Sequence, residues 1–127
     1  MASKLRLLVV DDEEAIVFAM QRYFTARGFE VDTASEMEEA EALLANVHYQ
    51  AAIIDLRLTG VHGAEGLDIL GFVRDNCPGT RTILLTAYGS ADLSREARER
   101  GADVVLSKPQ PLPDVAQVLM GLVGECR

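Results

Sequence analysis

A chain of 127 residues fits one ordinary domain, expected to span 1–127 with a core over about 4–123, and is long enough to bury a real core. Hydrophobic residues make up 49% and charged residues 25%, which excludes a disordered or fibrous chain, and a net charge of −8 argues against direct binding to nucleic acid or an anionic membrane surface. No apolar run approaches the roughly 20 residues that cross a bilayer. The N-terminal MASKLRLLVVDD turns acidic too early for a secretory signal, so the cytoplasm is the expected location. Cys77 and Cys126 lie far apart without metal-ligand spacing and read as free thiols.

The first element is an apolar run, Leu5–Val10, nearly continuous in Leu and Val and suited to a central parallel strand. Glu14–Arg27 follows with Ile16, Val17, Met20, Tyr23 and Phe24 on one helical stripe and stops at Gly28. Phe29–Thr33 alternates more, like an edge strand. Ser35 with Glu38 three residues later has the form of a capping box ahead of Ala40, Leu43, Leu44 and Val47, which predicts a second helix. Ala51–Asp55 is a second continuous apolar run.

Gly66–Asp75 places Leu67, Leu70 and Val73 at intervals of three, a short third helix broken by Cys77-Pro78-Gly79. Thr82–Leu85 is the fourth strand, and Ser90 caps a helix running to Arg100 and ending at Gly101. Val104–Leu106 and Leu112–Leu122 supply the last strand and helix. Strand and helix alternate five times, which predicts an α/β fold with helices on both faces of a parallel sheet. This is the three-layer α/β/α, doubly wound, flavodoxin-like arrangement with strand order 2-1-3-4-5.

In such a sheet the binding crevice lies beyond the carboxyl ends of the strands. Strand one runs into Asp11 and Asp12, strand three ends at Asp55, strand four at Thr86, and strand five leads to Lys108. The acids should meet in space, and their mutual repulsion calls for a hard cation such as Mg²⁺. With the metal shielding a dianionic phosphoryl group, a carboxylate can attack phosphorus to give an aspartyl phosphate, while Lys108 and the Thr86 hydroxyl hold two of its oxygens. Each residue also has an ordinary explanation. Asp11 and Asp12 could cap a helix, Asp55 could end a strand in a turn, Lys108 could be a solvated loop charge and Thr86 a β-branched strand end. Their coincidence at four strand ends is what the ordinary explanations leave over.

These residues fall in segments, LLVVDDEE, AAIIDLRL, ILLTAYGS and VVLSKP, that resemble the signature blocks of response-regulator receiver domains over essentially the whole chain. The resemblance implies that Asp55 is the phosphoacceptor, that Asp12, with Asp11 beside it, and the backbone carbonyl of Arg57 hold Mg²⁺, and that Thr86 and Lys108 are the switch hydroxyl and phosphate-binding lysine. It implies a histidine kinase or phosphotransfer protein as donor. Output would go to a protein partner or a separate output domain, since the sequence past Leu122 offers no effector, and a phosphorylation-dependent homodimer is a further option. Self-phosphorylation and autodephosphorylation would be its only catalytic activities.

The chain departs from the family pattern at Thr59, where proline is usual, in a lengthened loop over 60–65, and at Val105, where an aromatic switch residue is common. Tyr88, two residues beyond Thr86, is expected to tune the lifetime of the phosphate. His48 and His62 read as structural and solvated, and Arg95 to Arg100 as a wetted helix face. Three other readings compete. A degenerate receiver would bind partners without phosphorylation. An Asp-nucleophile phosphatase would need a cap domain that has no place here, and a flavin binder would need a phosphate loop after strand one where this chain has acids.

Overall fold

The computed structural model describes residues 5–55, 64–86, 91–108 and 110–124. Strand β1 (Leu5–Val10) sends Leu7 and Val9 to one face of the sheet and Leu8 and Val10 to the other, because side chains alternate along a strand, and all four are buried. It pairs in parallel with β2 (Phe29–Ala34) from Leu5↔Phe29 and with β3 (Ala51–Asp55) from Leu7↔Ala51. β4 (Arg81–Thr86) and β5 (Val104–Ser107) continue outward, giving the order β2-β1-β3-β4-β5. This is the flavodoxin-like order expected from the alternation. β2 is indeed an edge strand, and its middle residues are only half-buried.

Helices α1 (Glu14–Ala26) and α5 (Leu112–Gly124) cover one face, where Phe24 packs under the sheet with ring centroids 5.3 Å from Tyr23 and 5.9 Å from Phe29, both edge-on. Helices α2 (Met37–Asn46), α3 (Ala64–Asn76) and α4 (Ala91–Glu99) cover the other, burying their own Leu44, Ile69, Leu70 and Ala97 in the core with Leu8, Ile54 and Leu84 of the sheet. α1 and α4 are followed by glycines at positive φ, Gly28 at 97° and Gly101 at 111°, a conformation that a Cβ would strain.

Two expectations are corrected in detail. α3 has 13 residues rather than a short stretch over Gly66–Asp75. The start of α2 is not a Ser35–Glu38 capping box: the helix begins at Met37, and it is the Glu39 carboxylate that accepts from the Ser35 backbone N–H at 2.9 Å and from its hydroxyl at 3.3 Å. With the first turn one residue later than the pattern suggested, Glu39 faces back toward Ser35 and Glu38 is left exposed.

Polar anchors that periodicity does not reveal close the sheet at its other side. The Asp103 carboxylate accepts the Thr82 backbone N–H at 2.8 Å and pairs with Arg81 at 3.3 Å, fixing the start of β5 against β4. Tyr49, fully buried, donates its hydroxyl to Asp32 Oδ2 at 2.6 Å, while the Thr80 hydroxyl donates to the Tyr49 carbonyl at 2.7 Å. Tyr49→Phe removes one charge-assisted hydrogen bond without opening a cavity, and Asp32 is half-exposed and can be rewetted. A loss of about 1–2 kcal/mol is expected in urea unfolding, with the m-value unchanged.

Candidate functional site

Asp11 and Asp55 are the two acids that the carboxyl ends of β1 and β3 carry into the interior, 2% and 3% exposed. Adjacent parallel strands in register bring them together: Val10 pairs with Ile54, so the next residue on each strand emerges at the same edge. Asp11 has a local task as well, since its Oδ1 accepts the Glu13 backbone N–H at 2.9 Å where α1 begins. Both the structural and the chemical readings of this residue therefore apply.

Lys108 reaches the Asp55 Oδ2 with its ammonium, forming an ion pair in which the carboxylate side chain is 4% and the lysine side chain 19% exposed. The lysine is placed by its own backbone, whose N–H donates to the Thr86 carbonyl at 2.7 Å and so ties the end of β4 to the segment after β5. Thr86 is 1% exposed at the last position of β4. Asp55, Lys108 and Asp11 thus form one acid–ammonium cluster, with Thr86 bonded through its backbone to Lys108. Asp12 differs: it is exposed and lines, with Asp11, a cleft bounded by Glu14, Val17, Phe18 and Gln21 of α1, Ser35 and Glu39.

Burial first, and then the neighbouring Asp55 carboxyl, push the Asp11 carboxyl up to about 6 against the opposing pull of the Glu13 N–H and the Lys108 charge. The cluster therefore carries more negative charge than Lys108 satisfies. Clustered carboxylate oxygens of this kind suit a hard divalent cation that keeps several waters. No trio of His, Cys, Asp or Glu side chains among the described residues is close enough to enclose an ion by itself. A bound ion would draw on Asp11, Asp12 and Asp55 together with water or backbone oxygen. Arg57, expected to offer its carbonyl, lies outside the described residues, as do Thr59, His62, Tyr88, Ser90 and Cys126.

Other candidates fall away from the pocket. His48 is exposed at the opposite end of β3, beside Gly79. Cys77 is a free thiol whose Sγ lies 3.5 Å from the Leu44 carbonyl, and burial raises its pKa, which disfavours the nucleophilic thiolate. Val105 is half-buried against the α2–α4 side of the core. The helix-four charges are mostly solvated, as expected, but Arg100 bridges Glu96 at 3.2 Å and Asp68 of α3 at 3.6 Å. Phe18, 59% exposed beside the acid pocket, was missed because it lies off the apolar stripe of α1, and that is itself the signal that could have found it.

Comparison with known proteins agrees with this arrangement. The response regulator receiver domain family matches residues 7–120. The photosynthetic apparatus regulatory protein RegA of Rhodobacter capsulatus is 32% identical over 120 residues, 94% of this chain, and the chain spans 64% of that relative's length. A CheY-like response regulator receiver domain protein from Methanospirillum hungatei JF-1 superposes with a TM-score of 0.90 at 28% identity, over 97% of this chain and 96% of the other. A response regulator from Burkholderia pseudomallei, solved with a phosphorylated aspartic acid, a calcium ion and citrate, superposes at 0.84 with 28% identity, over 96% of this chain and 70% of that one. No helix among the described residues is long and apolar enough to cross a membrane.

Proposed function

Because the chain belongs to the response regulator receiver domain family, the phospho-accepting switches of two-component signalling, we propose that Asp55 is its phosphoacceptor and that a histidine kinase or phosphotransfer protein is its donor. The observation that carries this reading is the buried Asp55 carboxylate at the end of the central strand, held by the Lys108 ammonium and flanked by Asp11. The cleft beside Asp11 and Asp12, with Phe18 exposed at its wall, offers the donor a place to dock over the acids.

In transfer, an Asp55 carboxylate oxygen attacks phosphorus, the P–N bond of the donor phosphohistidine breaks, and its electron pair returns to the imidazole. Lys108 turns from Asp55 to a phosphoryl oxygen, and the Thr86 hydroxyl donates to another. Asp11, Asp12, Asp55 and the Arg57 carbonyl would hold Mg²⁺, which would supply charge neutralisation for the incoming group. Asp11 and Asp12 position it, and the same pocket admits the water that later hydrolyses the acyl phosphate.

Movement of Thr86 and Lys108 carries the signal outward because the two are bonded to each other. α4, next along the chain, is the helix best able to respond. Among its described side chains Ala97 is the buried one, and its far end is tied to α3 by exposed contacts, Arg100 to Asp68 and Arg74 Nη1 to the Glu99 carbonyl at 3.3 Å. Exposed contacts of this kind contribute little to local stability. Shifting such a switch from 1:99 to 99:1 takes about 5.5 kcal/mol of differential stabilisation, within reach of two or three charge-assisted hydrogen bonds. The face of α4, β5 and α5 would then meet a protein partner or output domain, in the cytoplasm, as part of a single receiver domain.

Incubation with Mg²⁺ and acetyl phosphate is expected to add one phosphoryl group by intact mass, and EDTA to prevent it. No adduct under any divalent cation would favour instead a degenerate receiver that binds partners unphosphorylated, the reading that Val105 and Thr59 motivate.

A further inference from the structure

β4 carries a threonine toward each end of the side that faces α4. Side chains alternate along a strand, and Leu84 packs in the core cluster on the α2–α4 side while Ile83 and Leu85 pack in the other, so Thr82, Leu84 and Thr86 share the α4 side. Both threonines are 1% exposed. Thr86 ends the strand at the acid pocket, and Thr82 lies near its start, about 13 Å away by strand rise. Because β4 and β5 are parallel, α4 runs back against them, with its first turn at the Thr86 end and its last turn at the Thr82 end.

The last turn of α4 is held by more than its exposed ion pairs. Gly101, at positive φ, folds the chain back on the helix: its N–H donates to the Arg98 carbonyl and the Ala102 N–H to the Ala97 carbonyl, both at 3.0 Å, and Ala97 and Ala102 are buried in the same cluster. The Gly101 carbonyl accepts the Thr82 hydroxyl at 3.1 Å. Asp103 clasps the same threonine. Its N–H reaches the Thr82 carbonyl at 3.1 Å and the hydroxyl oxygen at 3.2 Å, and its carboxylate accepts the Thr82 N–H at 2.8 Å. Arg74 of α3 closes the joint from outside, where a Cβ on Gly101 would lie 3.2 Å from the Arg74 Cβ. Toward the Thr86 end the helix has less to hold it: Ser94 is half-buried, and Arg95 and Glu96 are exposed.

We propose that α4 answers phosphorylation as a lever pivoting at Gly101, its Thr86 end moving and its last turn fixed, and that Thr82 is the positioning residue that fixes it. α4 spans 9 residues. Such a helix is about 14 Å long, so a tilt of about 10° moves the free end by about 2 Å while the joint keeps its hydrogen bonds. Thr82 lies at the opposite end of β4 from the acid pocket and acts through the helix alone.

Because the lever rests on the reading of Asp55 as phosphoacceptor, its test begins with an arm that needs no phosphate. In amide-resolved hydrogen exchange of the unphosphorylated chain, Gly101, Ala102 and Asp103 are expected to exchange roughly tenfold or more slowly than Arg95 and Glu96. Thr82→Val keeps a β-branched side chain of the same shape without the hydroxyl, and should speed exchange at the joint about tenfold. Thr82→Ser returns the hydroxyl and should restore most of the protection. The second arm repeats the measurement under Mg²⁺ and excess acetyl phosphate, with occupancy read by intact mass. In wild type the change on phosphorylation should fall on Arg95 and Glu96 and spare Gly101 to Asp103, whereas in Thr82→Val it should spread into the joint. A threonine with a merely structural role would raise exchange alike in both forms and leave the pattern of change as in wild type, which would overturn its assignment. Absence of any adduct would fault the Asp55 reading, with the joint still judged by the first arm. Protection at Gly101 to Asp103 no greater than at Arg95, or a full adduct whose changes reach the joint as strongly as the free end, would overturn the pivot.

Discussion

Asp55→Asn is expected to gain no phosphoryl group under Mg²⁺ and acetyl phosphate conditions in which the wild-type chain gains one. The amide is nearly the same size as the carboxylate, so the 3%-exposed site keeps its packing, and what disappears is the nucleophilic oxygen. The fold should survive because Lys108 is not stranded: its charge already acts on Asp11, which remains as a partner. Lys108→Ala makes a useful contrast. It keeps the nucleophile but removes the ammonium that offsets the negative charge of the incoming group, so an adduct should still form, only more slowly. An adduct of equal yield on Asp55→Asn, located by peptide mapping, would move the site elsewhere.

Asp11→Asn is expected to make the metal-free domain more stable at neutral pH, a reversal of the usual result for a buried polar substitution. The carboxyl is pushed up from 3.8 to about 6 in the folded chain, chiefly by burial and then by Asp55. Between these values the folded state keeps a proton that the unfolded state has released. Stability therefore falls as pH rises from about 4 to about 6 and stays lowered above it. Converting the shift gives roughly 2–3 kcal/mol at pH 7. Asparagine removes that penalty and still offers an oxygen to the Glu13 N–H. Urea unfolding in EDTA should show the variant ahead of wild type at pH 7 and level with it near pH 4. Adding Mg²⁺ should narrow the gap at pH 7 by stabilising wild type more, because the ion relieves the repulsion that the substitution abolishes. Equal stabilities at pH 7 in EDTA would count against the charge crowding on which the metal assignment rests.

Much of the architecture was legible in the residues themselves. Continuous runs such as Ala51–Asp55 mark strands covered on both faces, and the uneven Phe29–Ala34 marks the edge, because burial on one or two faces sets the spacing of apolar residues. Gly28 and Gly101 mark helix ends for a local reason, their positive φ. The strand ends were legible too, and with them Asp11, Asp55, Thr86 and Lys108. What the alternation of elements could not supply was partner choice. The start of α2 turned on which of two adjacent glutamates faces Ser35, a matter of one residue in helical phase.

The sequence by itself determined the order of strands and helices and the residues at the carboxyl ends of the strands, since period and punctuation are local properties of the chain. Only the tertiary structure decided which of those residues share a pocket and in what state: Asp11 and Asp55 buried together under the Lys108 ammonium, Asp12 left in solvent. It also decided that Tyr49 bonds Asp32 and that Arg27 and Asp114 flank one cleft. Burial and pairing across the sheet depend on residues distant in the chain, and no local pattern encodes the distance between them.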